Sequence, residues 1–338
     1  MTGGPDIREI EDAAGRLAPI LRKTTLFESE RLNAQIGGRL LVKAETLQPT
    51  GSFKIRGAWN RISRLSADSL SRGVLALSSG NHGLAVAWAA RRAGARRIVV
   101  LMPVDAPRTK IEQTRAFGAE IVAYDRRKAD RNALVAQWRD GQGLVYIPAF
   151  DDPQVIAGAA TVAYEIAEEA AASHIAIDLF AAACSGGGLI AGSALALRAL
   201  SPATEIWGVE PEAYDDTAQS LAAGERVAVS ASGKTICDAL LSLTPGELTF
   251  TINRKSLSGI VGASDDDARA GMKAAFEEFG LVAEPSGALA LGAILAGRMD
   301  VKGRTAAVVL SGRNVDLDLY RREMADSALD PSPERLTG

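Results

Sequence analysis

The sequence predicts an α/β protein built from two parallel-sheet blocks. Short apolar runs alternate with helical-period segments between residues 74 and 124, and a second alternating series follows Asp151. The composition, 47% apolar and 23% charged, is that of an ordinary soluble globular chain. With 338 residues the chain can hold two domains, or one domain carrying an insertion.

The elements follow in order. Asp6 to Leu21 reads as an amphipathic helix, with Ile7, Ile10, Ala14 and Leu17 near helical spacing. Leu40 to Lys43 is a short strand. Val74 to Leu77 is a strand, Leu84 to Ala93 a helix closed by Gly94, and Ile98 to Met102 a strand ended by Pro103. Arg108 to Phe117 is a helix ended by Gly118, and Ile121 to Tyr124 a further strand. This βαβαβ order argues for a parallel sheet with helices on its faces. In the second series a helix at Pro153 to Ala171 leads to a strand at Leu179 to Ala183, a glycine turn and a helix from Leu189. Ile206 to Val209 and Ala306 to Leu310 are buried strands. Ser264 reads as a helix N-cap, with Asp265, Asp266 and Asp267 complementing the dipole in the first turn. The tail from Ser327, with Pro331 and Pro333, is expected to fray.

Bulk properties exclude several function classes. A net charge of −3 gives no reason to expect nucleic acid. Two cysteines, Cys184 and Cys237, make no disulfide framework, and two histidines, His82 and His174, make no His-based metal site. The start, Met1 to Asp6, lacks the basic and apolar runs of a signal peptide, and these features together lead to a cytoplasmic expectation. The uncharged stretch from Leu179 to Leu197 is long enough to raise the membrane question, but Ser185 to Gly188 would break a helix at its middle. A buried strand, turn and helix explain it better.

Three segments carry chemistry. In Thr50-Gly51-Ser52-Phe53-Lys54-Ile55-Arg56-Gly57 a lysine stands between glycines that let backbone approach a ligand. Such an amine becomes a covalent catalyst when it is neutral, positioned and shielded from water. Taken alone, the same residues describe a surface lysine beside a turn. The run Ser78-Ser79-Gly80-Asn81-His82-Gly83 ends a strand and opens a helix, which by itself is a capped helix start. Ser185-Gly186-Gly187-Gly188-Leu189 also joins a strand to a helix, where exposed N–H groups can hold a phosphate dianion. It lacks the spacing of a dinucleotide fingerprint. Ser232-Gly233-Lys234-Thr235 ends like a nucleotide-binding loop, yet Ala228 stands where that motif needs glycine, so a nucleotide reading is discarded.

Together, in this order, these segments resemble the fold type II pyridoxal-phosphate enzymes, most closely the threonine dehydratase and serine racemase group. The resemblance spans about Ile20 to Asp316. It implies a tryptophan synthase beta-like fold with the cofactor, pyridoxal 5'-phosphate, in a cleft between two α/β domains. The large domain would comprise residues 1–52 and 149–325, the small one 53–148, and residues 326–338 a tail with no regulatory domain, which argues against feedback control. Lys54 would form the Schiff base with the cofactor, with Phe53 packed beside it. Asn81 would bond the ring hydroxyl, Ser185 to Leu189 would hold the phosphate, and Ser311 would bond the pyridine nitrogen. A hydroxyl there does not keep that nitrogen protonated, which suits elimination more than transamination. Ser78, Ser79, Gly80, Asn81 and His82 would bind the substrate carboxylate. Ser79 also matches the residue that faces the lysine across the cofactor in racemases of the group.

The same resemblance makes Glu210, Asp216 and the Tyr214 carbonyl a site for Mg²⁺ or Ca²⁺, with a solvated acidic loop as the alternative. It departs from the family pattern at Arg313, where glycine is usual, at Ala159 and Ala160 in Gly158-Ala159-Ala160-Thr161, and at Ala239. Arg313 is either solvated or reaches an anionic substrate group; the alanines hint at an altered pocket. The implied activity is dehydration of a β-hydroxy amino acid such as L-threonine or L-serine to a 2-keto acid and ammonia. Serine racemase, or a dehydratase for 3-hydroxyaspartate, is the alternative. The implied partners are a small amino-acid substrate and a second copy of the chain in a homodimer, with no nucleic acid and no membrane.

Overall fold

The computed structural model describes residues 3–230 and 233–325. The expected frayed tail, and Ser232 of the discarded nucleotide-like run, lie outside them. The chain opens with α1 (Ile7–Leu17), set by a capping box between Asp6 and Glu9 and burying Ile10, Ala13 and Leu17. It is shorter than the expected Asp6 to Leu21, and Ala13 rather than Ala14 faces the core. Then come β1 (Leu26–Glu28), α2 (Glu30–Ile36), β2 (Arg39–Ala44), α3 (Lys54–Ile62) and α4 (Ala67–Arg72). A regular series follows: β3 (Val74–Leu77), α5 (Asn81–Arg92), β4 (Ile98–Pro103), α6 (Arg108–Ala116), β5 (Glu120–Tyr124), α7 (Arg131–Gln142) and β6 (Val145–Tyr146).

The second half holds α8 (Pro153–Ala172), β7 (Leu179–Ala183), α9 (Gly188–Leu200), β8 (Glu205–Pro211), α10 (Asp216–Ala223) and α11 (Glu247–Ser256). It closes with β9 (Gly259–Ala263), α12 (Asp265–Phe279), α13 (Pro285–Leu295), β10 (Thr305–Leu310) and α14 (Leu317–Ala325). Asp152 caps α8 with Pro153 in its first turn, and Ser264 forms a full capping box with Asp267 on α12. The apolar stretch from Leu179 resolves into β7, the turn and α9. Among the described residues no helix is long and apolar enough to cross a membrane.

Two sheets result. The larger has the order β1-β2-β10-β7-β8-β9, parallel except for β1, which pairs antiparallel with β2. The smaller, β5-β4-β3-β6, is wholly parallel and is contiguous in sequence between β2 and β7. Both are covered on two faces, as parallel sheets require. On β10, Ala306, Val308 and Leu310 join the core beneath α12 and α13, while Ala307 and Val309 face α8 and α9. In the smaller sheet Val74, Ala76, Val100 and Met102 meet α5, and Leu75, Val99 and Leu101 meet the α7 side.

Helix α3 packs on both α5 and α8, and so stands where the two sheet blocks meet. Its approach to α8 needs glycine: a methyl on Gly158 would lie 2.5 Å from the Arg56 carbonyl and 2.7 Å from Gly57 Cα. The neighbouring Ala160 sits in the buried core, close to Gly192 on α9, rather than in a pocket.

Candidate active site

Four of the segments singled out from the sequence leave the carboxyl end of a parallel strand, the edge where open α/β sheets build their sites. The run from Ser78 follows β3, the glycine turn follows β7, the acidic loop follows β8 and Ser311 follows β10.

The lysine segment is stitched to the end of β10. Ser52 bridges Gly312, the Phe53 amide donates to the Ser311 carbonyl at 3.0 Å, and the Arg313 amide donates to the Gly51 carbonyl at 2.8 Å. Gly51 is left-handed (φ +71°), and a side chain there would strike Asn314 Oδ1. Lys54 then opens α3. Its Nζ donates to the Ala149 carbonyl at 2.8 Å and lies 5.2 Å from the centre of the Phe53 ring. Removal from water, with no carboxylate to offset it, lowers the amine to about 8.

The loop after β3 is held from within. Ser78 Oγ accepts from the Gly80 and Gly83 amides at 3.0 and 2.9 Å, so its oxygen caps α5 and only its hydroxyl hydrogen is left to offer. Ser79 is half-buried and its hydroxyl has no partner among the described residues. Asn81 is locked at both ends. Its Nδ2 donates to Glu284 Oε1, and its Oδ1 accepts from Asn314 Nδ2 at 2.8 Å. Behind it Lys110 pairs with Glu284 at 2.7 Å and Asp238 at 2.6 Å. Burial opposes charge on Lys110, but the two carboxylates overcome it and hold the amine cationic, above the ordinary lysine range. Burial, helped by the Asp238 charge, raises Glu284 above the ordinary carboxylate range against the opposing pull of Lys110. The neighbouring Ala239 amide donates to Ser286 Oγ at 3.0 Å.

His82 is buried, and burial together with the Lys54 charge drops it to about 3, so the ring is neutral. Its Nε2 lies 2.9 Å from the Ile147 carbonyl and therefore carries the hydrogen, leaving Nδ1 a buried acceptor without a partner.

The glycine turn opens α9, whose first N–H groups have no intrahelical acceptor. A methyl on Gly186 or Gly188 would run into Phe150, and Gly187 is left-handed (φ +89°). The Gly186 carbonyl accepts from Thr249 Oγ1 at 2.7 Å. Phe150 follows Ala149, whose carbonyl takes the lysine amine, and Asp151 next to it caps α11 through the amides of Glu247, Leu248 and Thr249. Residues 149–151 thus tie the lysine to the turn. Ser311 is almost wholly buried, and its hydroxyl also has no partner among the described residues.

The metal candidates form a separate group. Glu210 accepts from the Thr217 and Ala218 amides at 3.1 and 3.0 Å and so caps α10. Asp216 is fully buried, with neither carboxylate oxygen partnered. Burial, reinforced by Asp216, raises Glu210 to about 8; burial, reinforced by Asp215, raises Asp216 to about 7. The Tyr214 hydroxyl donates to the Gly233 carbonyl at 3.3 Å. Among the described residues no three His, Cys, Asp or Glu side chains converge on one point, so a cation here would lean on backbone oxygen. Arg313 sends its guanidinium to the Thr46 carbonyl, a structural contact along the 46–51 segment.

Sequence reasoning missed Glu284, Lys110, Asp238 and the Ala149-Phe150-Asp151 segment. The last had a readable signal, since it closes the smaller sheet immediately after β6.

An α/β fold of two parallel sheets with a recessed lysine amine where they meet is the architecture of fold type II. Residues 17–312 match the family described as pyridoxal-phosphate dependent enzyme, and the chain belongs to it. The chain is 38% identical over 316 residues to the L-threo-3-hydroxyaspartate ammonia-lyase of Saccharomyces cerevisiae, covering 94% of this chain and 95% of that one. It is 34% identical over 316 residues to the serine racemase of Schizosaccharomyces pombe, covering 94% and 96%. A crystal structure of threonine deaminase from T.th. superposes with a TM-score of 0.85 at 39% identity, covering 92% of this chain and 99% of that one. The residues present fit the family's cofactor: a lysine of lowered basicity, a turn with room only for glycine beside free N–H groups, and an unpartnered hydroxyl at Ser311.

Proposed function

We propose that this protein is a pyridoxal-phosphate-dependent ammonia-lyase that converts a β-hydroxy amino acid to a 2-keto acid and ammonia. The observation that carries the reading is Lys54, whose amine is desolvated, oriented by the Ala149 carbonyl and poised near neutrality. Bound pyridoxal phosphate supplies the electron sink that acidifies the substrate Cα–H and lets the β-hydroxyl leave. Lys54 Nζ is the base for that Cα proton, because an amine near 8 is about half neutral at pH 8 and so can both take up and return a proton. The N-terminus of α5 and the free Ser79 hydroxyl bind the substrate carboxylate, with the helix dipole favouring the anion. Neutral His82 keeps a second positive charge away from Lys54. Ser311 offers a hydroxyl to the ring nitrogen, and Gly186 to Leu189 offer amides to the phosphate.

The substrate belongs among L-threonine, L-serine and 3-hydroxyaspartate; the name of the yeast relative favours the last. Keto-acid release by the purified holoenzyme from each of the three tests this. Turnover of one or more is expected, and no release from any would overturn the lyase reading. A second reading, serine racemisation, is favoured by the unpartnered Ser79 hydroxyl, and D-serine formation measured by chiral chromatography decides it. Glu210, Asp216 and the Tyr214 carbonyl form a Mg²⁺ or Ca²⁺ site in this reading, supported by the bare Asp216 carboxylate. We also take residues 53–148 as the small domain, and the active protein as a cytoplasmic homodimer.

A further inference from the structure

Asn253 lies on α11, one turn beyond Thr249, and its side chain is fully buried. Neither Nδ2 nor Oδ1 has a hydrogen-bond partner among the described residues. Native interiors seldom leave both ends of a carboxamide unmatched, because each buried unpaired group costs free energy comparable to a lost hydrogen bond. The place where this amide is left bare is informative. A methyl on Gly187 would stand 2.8 Å from Asn253 Nδ2, so the carboxamide touches the middle of the glycine turn. Thr249, on the same face of α11, already holds that turn through its bond to the Gly186 carbonyl. A leucine would fill the same volume without stranding polar atoms.

We propose that Asn253 is a further ligand of the cofactor phosphate, donating from Nδ2 either directly or through one bound water that Oδ1 also holds. The proposal rests on the pyridoxal-phosphate reading above and extends it from backbone amides to a side chain reaching the turn from the large-sheet side. A dianion gains from each fixed donor in a water-poor site, and the α9 dipole adds to the same effect.

The test compares wild type with Asn253→Leu, and with Asn253→Ser should the leucine variant fail to fold. Apoprotein is titrated with pyridoxal 5'-phosphate and, separately, with pyridoxal, which lacks the phosphate; ³¹P NMR follows the bound cofactor. The variants should bind pyridoxal phosphate about tenfold to a hundredfold more weakly, as expected for a lost bond to a charged group. Their pyridoxal affinity should match wild type, the ³¹P resonance should move, and apoprotein Tm should hold or rise in Asn253→Leu. Pyridoxal-phosphate affinity within twofold of wild type, or equal losses for both ligands, would overturn the proposal while leaving the cofactor reading intact. Failure of wild type to bind pyridoxal phosphate would overturn both.

Discussion

Lys110 and Glu284 meet in a buried 2.7 Å ion pair that joins the smaller sheet block to the larger one directly behind Asn81. Lys110 comes from α6, and Glu284 is the residue that precedes α13. Glu284→Ala removes one of the two counter-charges of Lys110 and strands the Asn81 amide. Breaking a buried pair from one side costs about 3–5 kcal/mol, so the urea midpoint should fall accordingly. The double change Lys110→Met with Glu284→Leu should cost less than the sum of the single changes. Additive losses would show that the two side chains do not act as a pair.

The lowered basicity of Lys54 sets a pH profile for cofactor capture. The neutral amine is the nucleophile, and a group near 8 is mostly ammonium below pH 7 and mostly neutral above pH 9. The rate at which apoprotein gains visible cofactor absorbance should therefore rise about tenfold per pH unit up to pH 8 and level off above it. A rise centred near the ordinary lysine value of 10.5 would contradict burial as the controlling influence. Lys54→Ala should lose the absorbance and the turnover together.

Arg56, two residues beyond Lys54, anchors the helix that carries it. Its guanidinium bonds Glu45 from Nε and Nη2 at 2.7 Å, and Glu165 from Nη1 and Nη2 at 2.7 and 2.9 Å. The neighbouring carboxylates outweigh burial and hold it cationic, above the usual arginine range. Arg56→Met leaves Glu45 buried without its forked partner, an expected loss of about 3–5 kcal/mol. Arg56→Lys keeps the charge but not the planar fork, and should recover only part of it. Because α3 then shifts against Ala149, kcat should fall more than KM rises in the lysine variant. Unchanged kcat would separate this cluster from Lys54.

Much of this was readable from local pattern. Val74 to Leu77 and Leu179 to Ala183 are strands at the expected bounds, because short continuous apolar runs bounded by glycine or polar residues admit little else. Ser264 capped its helix as the three aspartates after it implied. Elements with weaker signatures escaped: β1 is three residues long, β9 is glycine-rich, and α3 carries Gly57 in its interior. The polar partners of the site escaped for another reason. Asn81 meets Glu284 across 203 residues and Asn314 across 233, contacts that exist only once the strand order is known. No spacing rule reaches that far, and Asn253 on α11 gave no motif at all.

The Asp216 carboxylate gives the cation question a direct assay. Fully buried and unpartnered, it costs stability whenever it ionises without a counter-charge. Mg²⁺ or Ca²⁺ should raise Tm, by an amount equivalent to about 2.7 kcal/mol at a hundredfold excess over Kd. Asp216→Asn should match or exceed wild type in Tm without cation and lose the response. An equal cation response in both proteins would remove Asp216 from any such site.

Gly186 and Phe150 define how little room the turn has. Gly186→Ala would drive its methyl into the Phe150 ring, and the ring cannot retreat freely because Ala149 and Asp151 on either side are both engaged. Overpacking of this kind costs about 1–3 kcal/mol, and here it also pushes the turn out of register with the start of α9. Cofactor affinity should fall about tenfold, a loss within that range. Removing the obstruction with Phe150→Ala in the same chain should restore part of that affinity, although the ring's own packing is lost. If the second change makes binding weaker still, the ring supports the turn and does not merely limit its size.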